Sequence, residues 1–251
     1  MLNKDKLTGT PDNLSPEEVR RFDALAEEWR KPDGAFHTVL EFNRVRLHHI
    51  LNEIQRHFGD KPLSILDVGC GAGILTEPLA RAGHQVLGID ASAVNVRVAR
   101  QNGWNLAAKL SYRHCLSQTL VEEGARFDLV LNTEVVEHVP DPARLLQECG
   151  ELVKPGGMMV VATLNRTWKS YLVGIIGAEY VLRALPKGTH SWQAFVTPDE
   201  VTQALSPLGF CCHSPKGMSY NPLTRRWRLS DSDKVNYLMS AIKGPPIQQD
   251  A

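Results

Sequence analysis

Residues 63–73 constrain the fold of this chain more than any other stretch. Within them, residues 64–68 predict a short buried strand, and three alternate glycines that begin at Gly69 predict a turn whose backbone approaches a ligand closely. Residues 74–82 then predict the helix that returns the chain. A strand, a glycine turn and a helix in this order are typical of a nucleotide-type ligand site.

The spacing of the glycines distinguishes between classes of ligand. A dinucleotide fingerprint needs a third glycine where this chain has Ile74, and a P-loop needs a Lys-Ser/Thr pair that the loop lacks. The first strand carries Asp67, and a second strand, residues 85–90, ends in Asp90, where a carboxylate can hold both ribose hydroxyls. This combination resembles the Rossmann-like S-adenosylmethionine (SAM) methyltransferases, whose cofactor carries a sulfonium and no phosphate. The alternative is a glycine turn in an ordinary α/β protein.

Composition limits the other classes of function. The chain has 251 residues, of which 43% are hydrophobic, and its formal net charge is zero. This size suits a single domain over residues 1–251, and without a basic block we expect no nucleic acid partner. Five cysteines without metal-ligand spacing favour a reducing compartment. We find no leader pattern and no apolar run of about twenty residues, which predicts a cytoplasmic protein that at most lies on the inner face of a membrane.

Hydrophobic periodicity divides the chain into N-terminal helices (15–60), a cofactor-binding core (63–163), a helical insertion (164–195) and a C-terminal helix with edge strands (196–251). Helices are predicted over residues 16–29, 42–58, 92–101, 142–153 and 198–205, and further strands over 109–114, 127–132, 158–163, 210–214 and 235–241. This alternation predicts an α/β fold, a Rossmann-like doubly wound, mostly parallel sheet with an antiparallel C-terminal edge. Ser15 is the expected N-cap of the first helix, with Glu18 completing a capping box.

Ionisable side chains concentrate after the predicted strand 127–132. Glu134, Glu137 and His138 are spaced i, i+3 and i+4, so a helical turn would place all three on one face. Two carboxylates and an imidazole at the carboxyl edge of a parallel sheet suit Mg²⁺ or a similar hard cation. The alternative is that Glu137 and His138 only form hydrogen bonds to nearby loops.

Several blocks of the sequence together resemble the ubiquinone biosynthesis O-methyltransferase family. They are residues 22–29, 42–46, 67–74, 134–142, 163–170, 177–183, 186–190 and 220–222. The glycine loop is shared with a much larger class, whereas the block from Asn165 to His190 is specific to this family. The resemblance covers nearly the whole chain. It implies SAM-dependent methylation of ring hydroxyls on polyprenylated catechol intermediates of ubiquinone, with a ubiquinone-biosynthesis complex as a further partner.

The resemblance and the glycine turn together assign site residues. Those predicted to bind SAM are Arg46, Asp67, Gly69, Gly71, Asp90 and Thr133. Those that the resemblance implies for Mg²⁺ are Glu134, Glu137 and His138. The departures from the family pattern are Ala72 for a usual glycine, Arg30 after Trp29 for a second tryptophan, and Val45 for a usual proline. Ala72 fits the turn only if its φ is negative.

The chemistry of methyl transfer to a phenol hydroxyl is consistent with assistance by a divalent metal ion. A phenol with a pKa near ~10 is only about one part in a thousand ionised at pH 7, a deficit of roughly 4 kcal/mol for attack on the SAM methyl. A divalent cation chelated by both catechol oxygens would remove most of this deficit. His138 is therefore a candidate catalytic base or a candidate metal ligand, but one nitrogen cannot serve both roles.

Residues 168–185 are apolar almost all round. Glu179, Gly174 and Gly177 argue against a membrane span. One interpretation is a buried helical insertion that covers the acceptor site. The other is an interfacial helix in peripheral contact with a membrane, which lets a polyprenyl tail stay in the bilayer while its head group enters the site.

Two rival functions keep the same fold. One is methyl transfer to carbon or to another small acceptor, for which we expect no metal requirement. The other is a non-catalytic SAM-binding scaffold within a biosynthetic complex, which binds the cofactor without turnover.

Overall fold

The structure, a computed structural model, describes residues 13–26, 37–167, 170, 194–221, 223–224 and 226–245. The helices in these residues are α1 (Pro16–Leu25), α2 (His37–Phe58), α3 (Thr76–Arg81), α4 (Ala93–Asn102), α5 (Ser117–Glu122), α6 (Pro142–Glu151) and α7 (Pro198–Leu205). The strands are β1 (Ser64–Val68), β2 (Gln85–Asp90), β3 (Leu110–His114), β4 (Phe127–Thr133), β5 (Val153–Leu164), β6 (Phe210–Cys212), β7 (Gly217–Asn221), β8 (Arg226–Ser230) and β9 (Asn236–Lys243).

Seven of these strands form one sheet in the order β3-β2-β1-β4-β5-β9-β6. The pairs among β1 to β5 are parallel, whereas β9 pairs antiparallel with both β5 and β6. The predicted Rossmann-like sheet with an antiparallel C-terminal edge is confirmed, with β9 inside that edge and β6 as its outer strand. Since the strand order reverses between β1 and β4, their carboxyl ends flank the crevice where such sheets bind ligands.

The core consists of two apolar layers, one on each face of the sheet. On one face Leu66 and Val130 pack with buried residues of α6 and α7. On the other face Ile65 and Leu129 pack with residues of α2, α3 and α4, including Ile50, which is fully buried. Neighbouring residues of β1 and β4 enter opposite layers because side chains alternate across a strand, and burial on both faces produces the nearly continuous apolar runs of these strands.

Several predicted bounds were wrong by a few residues, most clearly at β5. This strand begins at Val153 rather than at residue 158, so it includes Pro155, Gly156 and Gly157, which lie between the predicted helix and the predicted strand. The glycines are accommodated as an irregularity: Gly156 has φ +73°, and the pairing of β4 with β5 shifts register between Phe127 and Leu129. A bulge can interrupt a strand without ending it.

Two further bounds differ for local reasons. α2 begins at His37 rather than at residue 42, and α3 begins at Thr76 rather than at residue 74. Residues 74 and 75 still belong to the turn after the glycines, and a difference of two residues is ordinary for a helix end.

Two elements have no counterpart among the predicted ones, helix α5 and the hairpin of β7 and β8. The hairpin forms a separate two-stranded sheet that packs against α2 and β9. Its Met218 lies in a small apolar cluster with Ala162 and Leu238. The hairpin therefore reaches the same edge of the main sheet as the ligand crevice.

The predicted capping box at α1 is only half formed. The Ser15 hydroxyl accepts the Glu18 N–H at 3.4 Å, but the Glu18 carboxylate bonds to Arg21 and His138. The predicted extension of this helix to Trp29, the departure at Arg30 and nearly all of the predicted insertion 168–185 lie outside the described residues. None of the helices in the described part of the chain combines the length and apolar character that a membrane span requires.

Candidate active site

The glycine turn closes β1 against β2. The backbone N–H groups of Gly69 and Cys70 both donate to the Ile89 carbonyl, at 2.8 and 3.0 Å. Gly69 has φ +71°, and a Cβ atom there would lie 2.3 Å from Val135 Cγ2. A side chain is therefore excluded at Gly69 by conformation and by space together. Ala72 is not among the residues with positive φ, as its presence in the loop requires.

Asp90 is tied to this turn through its carboxylate. Oδ2 accepts the N–H of Gly71 at 2.9 Å, and Oδ1 accepts the N–H of Ser92 at 2.8 Å. A carboxylate has about four acceptor positions, so capacity remains for ribose hydroxyls. Burial raises the pKa of Asp90 despite these two bonds.

Asp67 is a second carboxyl group beside Asp90. It is 2% exposed. Burial and the negative charge of Asp90 raise its pKa to about 7, against the opposing influence of Arg46. Two carboxyl groups that ionise with difficulty favour a cationic ligand, and the sulfonium and amino groups of SAM provide positive charge.

Arg46 connects α2 to the end of β4. Its buried guanidinium donates to Asn43 Oδ1 at 2.8 Å, and its other terminal nitrogen forms an ion pair with Glu134. Glu134 itself adopts φ +57°, the only positive φ of a non-glycine residue in the described chain. Burial and the neighbouring Glu137 raise the pKa of Glu134 to about 7, although Arg46 opposes this. Strained backbone of this kind concentrates at functional sites.

The positive φ of Glu134 also corrects a prediction. Because Glu134 is not helical, the spacing of Glu134, Glu137 and His138 does not place them on one helical face; only Val136–His138 forms a single 3-10 turn. Glu137 is 5% exposed, and neither of its carboxylate oxygens has a hydrogen-bond partner among the described residues. Within the same residues no group of three His, Cys, Asp or Glu side chains is arranged to hold a metal ion.

His138 is held by the N-terminal helix. Its Nδ1 lies 2.7 Å from Glu18 Oε2, and the ring of Phe22 contacts the imidazole edge-to-face at 5.0 Å between centroids. Burial disfavours the protonated imidazole, but Glu18 and the carboxylates of Glu137 and Glu134 outweigh it and raise the pKa of His138. The contact with Glu18 therefore holds the imidazole of His138, which can accept a proton, beside the crevice.

One cavity of about 680 Å³ joins these groups. The predicted site residues that line it are Arg46, Asp67, Gly69, Gly71, Asp90, Thr133, Glu134 and His138, whereas Glu137 does not. The structure thus brings the predicted SAM residues together around one space, and their contacts with SAM stay a prediction. A volume of this size accommodates a cofactor and part of a second ligand.

Similarity to known proteins identifies the family of this chain. A family model described as a methyltransferase domain matches residues 19–214. The ubiquinone biosynthesis O-methyltransferase of Chelativorans sp. (strain BNC1) is 47% identical over 234 residues, covering 90% of this chain and 92% of that protein. The enzyme of the same name from Dinoroseobacter shibae is 45% identical over 246 residues, covering 94% and 99%. The chain belongs to the ubiquinone biosynthesis O-methyltransferase family.

Solved structures agree with this family in fold. Magnesium protoporphyrin IX methyltransferase from Synechocystis PCC 6803, solved with bound S-adenosylhomocysteine (SAH), superposes with a TM-score of 0.66 at 17% identity, covering 90% of this chain and 95% of that chain. Membership of the ubiquinone biosynthesis O-methyltransferase family and this fold identify a SAM-dependent methyltransferase.

Sequence reasoning missed several cavity residues of this family member. They are Glu18, Phe22, Phe42, Ser92, Tyr220 and Trp227. Ser92 carried a detectable signal, because it follows Asp90 and caps α4. The others come from α1, α2 and the β7–β8 hairpin, far from the glycine turn in sequence, and no local pattern links them to it.

Proposed function

We propose that this enzyme transfers the methyl group of SAM to a ring hydroxyl of a polyprenylated catechol intermediate of ubiquinone biosynthesis. The observation that carries the proposal is the joint lining of one cavity by the Gly69–Gly71 turn, Asp90, Glu134 and His138. The relatives at 45–47% identity are named ubiquinone biosynthesis O-methyltransferase, which supports transfer to oxygen in this pathway.

The proposed reaction is a direct displacement. The phenolate oxygen attacks the methyl carbon, the new O–C bond forms as the C–S bond breaks, and the sulfonium becomes the neutral thioether of SAH. Asp90 binds the ribose, and Asp67 adds negative charge beside a cationic cofactor. Positioning both reactants in one cavity supplies much of the rate acceleration.

The phenol must lose its proton before attack. His138 is the candidate acceptor among the cavity residues, and its contact with Glu18 at 2.7 Å stabilises the imidazolium that forms. The bond also fixes the orientation of the ring, so Glu18 acts through His138 rather than on the substrate.

Assistance by Mg²⁺ is part of the proposal, and the donor chemistry supports it. Glu137 has two buried oxygens without partners among the described residues. Burial and the neighbouring Glu137 raise the pKa of Glu134 even though Arg46 pairs with it. Glu134, Glu137 and His138 would hold the ion only after their side chains move together, since they are not arranged as a metal site among the described residues. The ion would then supply Lewis-acid activation of the catechol. The ion pair between Glu134 and Arg46 would then be weakened or broken by the metal. His138 would act as a ligand instead of a base.

The test of the function is methyl transfer from labelled SAM to a short-tailed prenyl catechol, with Mg²⁺ and with EDTA. We expect methylation on oxygen, and no transfer to the same ring with both hydroxyls already methylated. Product on carbon, or SAM binding without any turnover, would overturn the proposal in favour of the rival functions.

The metal is tested separately from turnover. We expect Mn²⁺, used as a spectroscopic substitute for Mg²⁺, to bind the wild type and to bind Glu137→Gln at least tenfold more weakly, with SAM affinity nearly unchanged. Glu123→Gln, which alters an exposed ion pair with Arg113, is the matched control. Equal Mn²⁺ binding by both variants, or activity unaffected by EDTA, removes the metal and leaves His138 as the base.

A further inference from the structure

The cavity extends beyond the predicted SAM residues toward the β7–β8 hairpin. There it is lined by three aromatic side chains, Phe42 from α2, Tyr220 from β7 and Trp227 from β8. None of them is needed to explain the glycine turn or the Asp90 contacts. We call Phe42, Tyr220 and Trp227 the aromatic wall; none of the three is among the residues predicted to bind SAM.

The hairpin is built with two different faces. Tyr220 pairs with Trp227 and Met218 pairs with Leu229 across the two strands, so these four side chains share one face. The other face carries Arg226 and Arg228, both exposed, opposite Asn221 and Ser219. The face with Met218 packs on the main sheet, and the aromatic pair on that face borders the cavity.

The aromatic wall is continuous with the reacting end of the site. The Arg46 guanidinium, which pairs with Glu134, lies 4.6 Å from the centroid of the Phe42 ring. Phe42 contacts Trp227 edge-to-face at 4.9 Å between centroids, and Trp227 meets Tyr220 at 5.3 Å. The series therefore leads from Glu134 to the outer end of the cavity, where Tyr220 is 37% exposed.

Two buried N–H donors in this region lack acceptors. Trp227 Nε1 and Arg46 Nε have no hydrogen-bond partner among the described residues. Burying a donor without an acceptor is costly, and such a group is normally satisfied by a protein atom, water or ligand. An aromatic ring with oxygen substituents offers both acceptors and a face that suits edge-to-face contact.

We propose that the aromatic wall of Phe42, Tyr220 and Trp227 is the acceptor subsite, which takes a planar aromatic ring with oxygen substituents and directs its apolar chain outward past Tyr220. This inference rests on the proposed function, since a ring acceptor is what the subsite selects. The competing explanation is that the three rings only pack the hairpin against α2 and do not contact a ligand.

Measuring the affinities for the acceptor and for the cofactor separately distinguishes these two explanations. A short-tailed prenyl catechol is titrated by calorimetry into enzyme saturated with SAH, and SAH is titrated into the enzyme alone. For Trp227→Ala we expect the catechol Kd and the acceptor KM to rise at least tenfold, while the SAH Kd stays within twofold of the wild-type value. We expect Trp227→Phe to recover most of the catechol affinity. Leu229→Ala, on the same hairpin but outside the cavity, is expected to match the wild type.

A second variant covers the case in which Trp227→Ala disrupts the folding of the hairpin. Phe42→Leu changes the wall from helix α2 and should raise the acceptor KM with the same unchanged SAH Kd. Unchanged catechol affinity in Trp227→Ala and Phe42→Leu, or SAH affinity that falls in parallel in both, overturns the subsite. If wild-type enzyme methylates no ring acceptor, the proposed function fails and the subsite with it. If it methylates catechol and the variants match it, only the subsite fails.

Discussion

Asp67 and Asp128 are aspartates of neighbouring strands with opposite electrostatic surroundings. Asp67 is enclosed beside another carboxyl group, and its pKa rises from the ordinary 3.8 to about 7. Burial also acts on Asp128, but hydrogen bonds from Ser64 and Lys154 outweigh it and lower the pKa. Asp67 lines the cavity, whereas Asp128 bonds Ser64 at the opposite end of β1 and Lys154 of β5.

These surroundings predict opposite effects of the same substitution. A raised folded pKa means that the folded state holds a proton longer, so Asp67 destabilises the protein as pH rises from about 4 to 7. Without ligand, Asp67→Asn should raise the free energy of unfolding at pH 8 by roughly 2 kcal/mol or more, and hardly change it near pH 4. Asp128→Asn should instead destabilise at pH 7, with the difference shrinking as pH falls through the lowered pKa. Urea unfolding from pH 8 down to below pH 3.8 measures both effects, and the same sign for the two variants at pH 7 to 8 would contradict the assignment.

The glycine turn acts as an element in which each position has a separate role. Gly69 and Gly71 both have positive φ, but only Gly69 is also crowded, by Val135. We expect Gly71→Ala to cost about 1 kcal/mol of stability through backbone strain, and Gly69→Ala about 3 kcal/mol, since Val135 must also move. Chemical denaturation of the two variants gives the comparison. Equal losses would show that the contact with Val135 relaxes freely.

Helix α1 and Asn13, which precedes it, contact the loops around the cavity at three points. Glu18 bonds His138, Asp23 bonds the Ser92 hydroxyl, and Asn13 exchanges two hydrogen bonds with the Asp141 backbone at 2.8 and 3.0 Å. Ser92 follows β2, whereas His138 and Asp141 both belong to the loop between β4 and α6 at the carboxyl edge of the sheet. The helix therefore completes the cavity wall that the sheet leaves open.

The Glu18–His138 contact gives this attachment a pH dependence. The bond to His138 lowers the pKa of Glu18 below 4.5, and the pKa of His138 is raised above 6.5. The stabilisation by Glu18 is present above pH 4.5 and lost as pH falls through its lowered pKa; that by His138 is present below pH 6.5 and lost as pH rises through its raised value. Glu18→Gln should thus cost roughly 1 kcal/mol at pH 6 in EDTA, and less at pH 9. Thermal unfolding at both values checks it, and a difference that grows at pH 9 would be inconsistent with the pair.

At the scale of the whole molecule, the site lies where β1, β2, β4, α1 and α2 meet. A ligand there bridges elements that unfold together, so it stabilises only the folded state. At a concentration of about 100 Kd, SAH should add roughly 2.7 kcal/mol, or roughly 5–10 °C in Tm. Asp90→Asn should need at least tenfold more SAH for the same shift. Thermal melts over an SAH series measure this, and superimposable series would remove Asp90 from the cofactor site.

The sequence by itself determined the parts of this protein that depend on neighbouring residues. Strand β1, the glycine turn and Asp90 were readable because backbone conformation, burial and ligand approach all impose residue types within a short stretch. The alternation of strands with helices fixed the sheet class for the same reason. The family resemblance then named the chemistry that the turn alone left open.

Only the tertiary structure decided which distant side chains share the cavity. Glu18 was assigned to a cap and instead holds His138, and the spacing of Glu134 with Glu137 failed to give a shared face because Glu134 has φ +57°. Tyr220 and Trp227 come from a hairpin whose short, mixed strands carry no clear alternation. These contacts depend on packing between elements that are far apart in the chain, as Phe42 and Trp227 are, whose positions differ by 185 residues. Local periodicity carries no information about contacts at such separations.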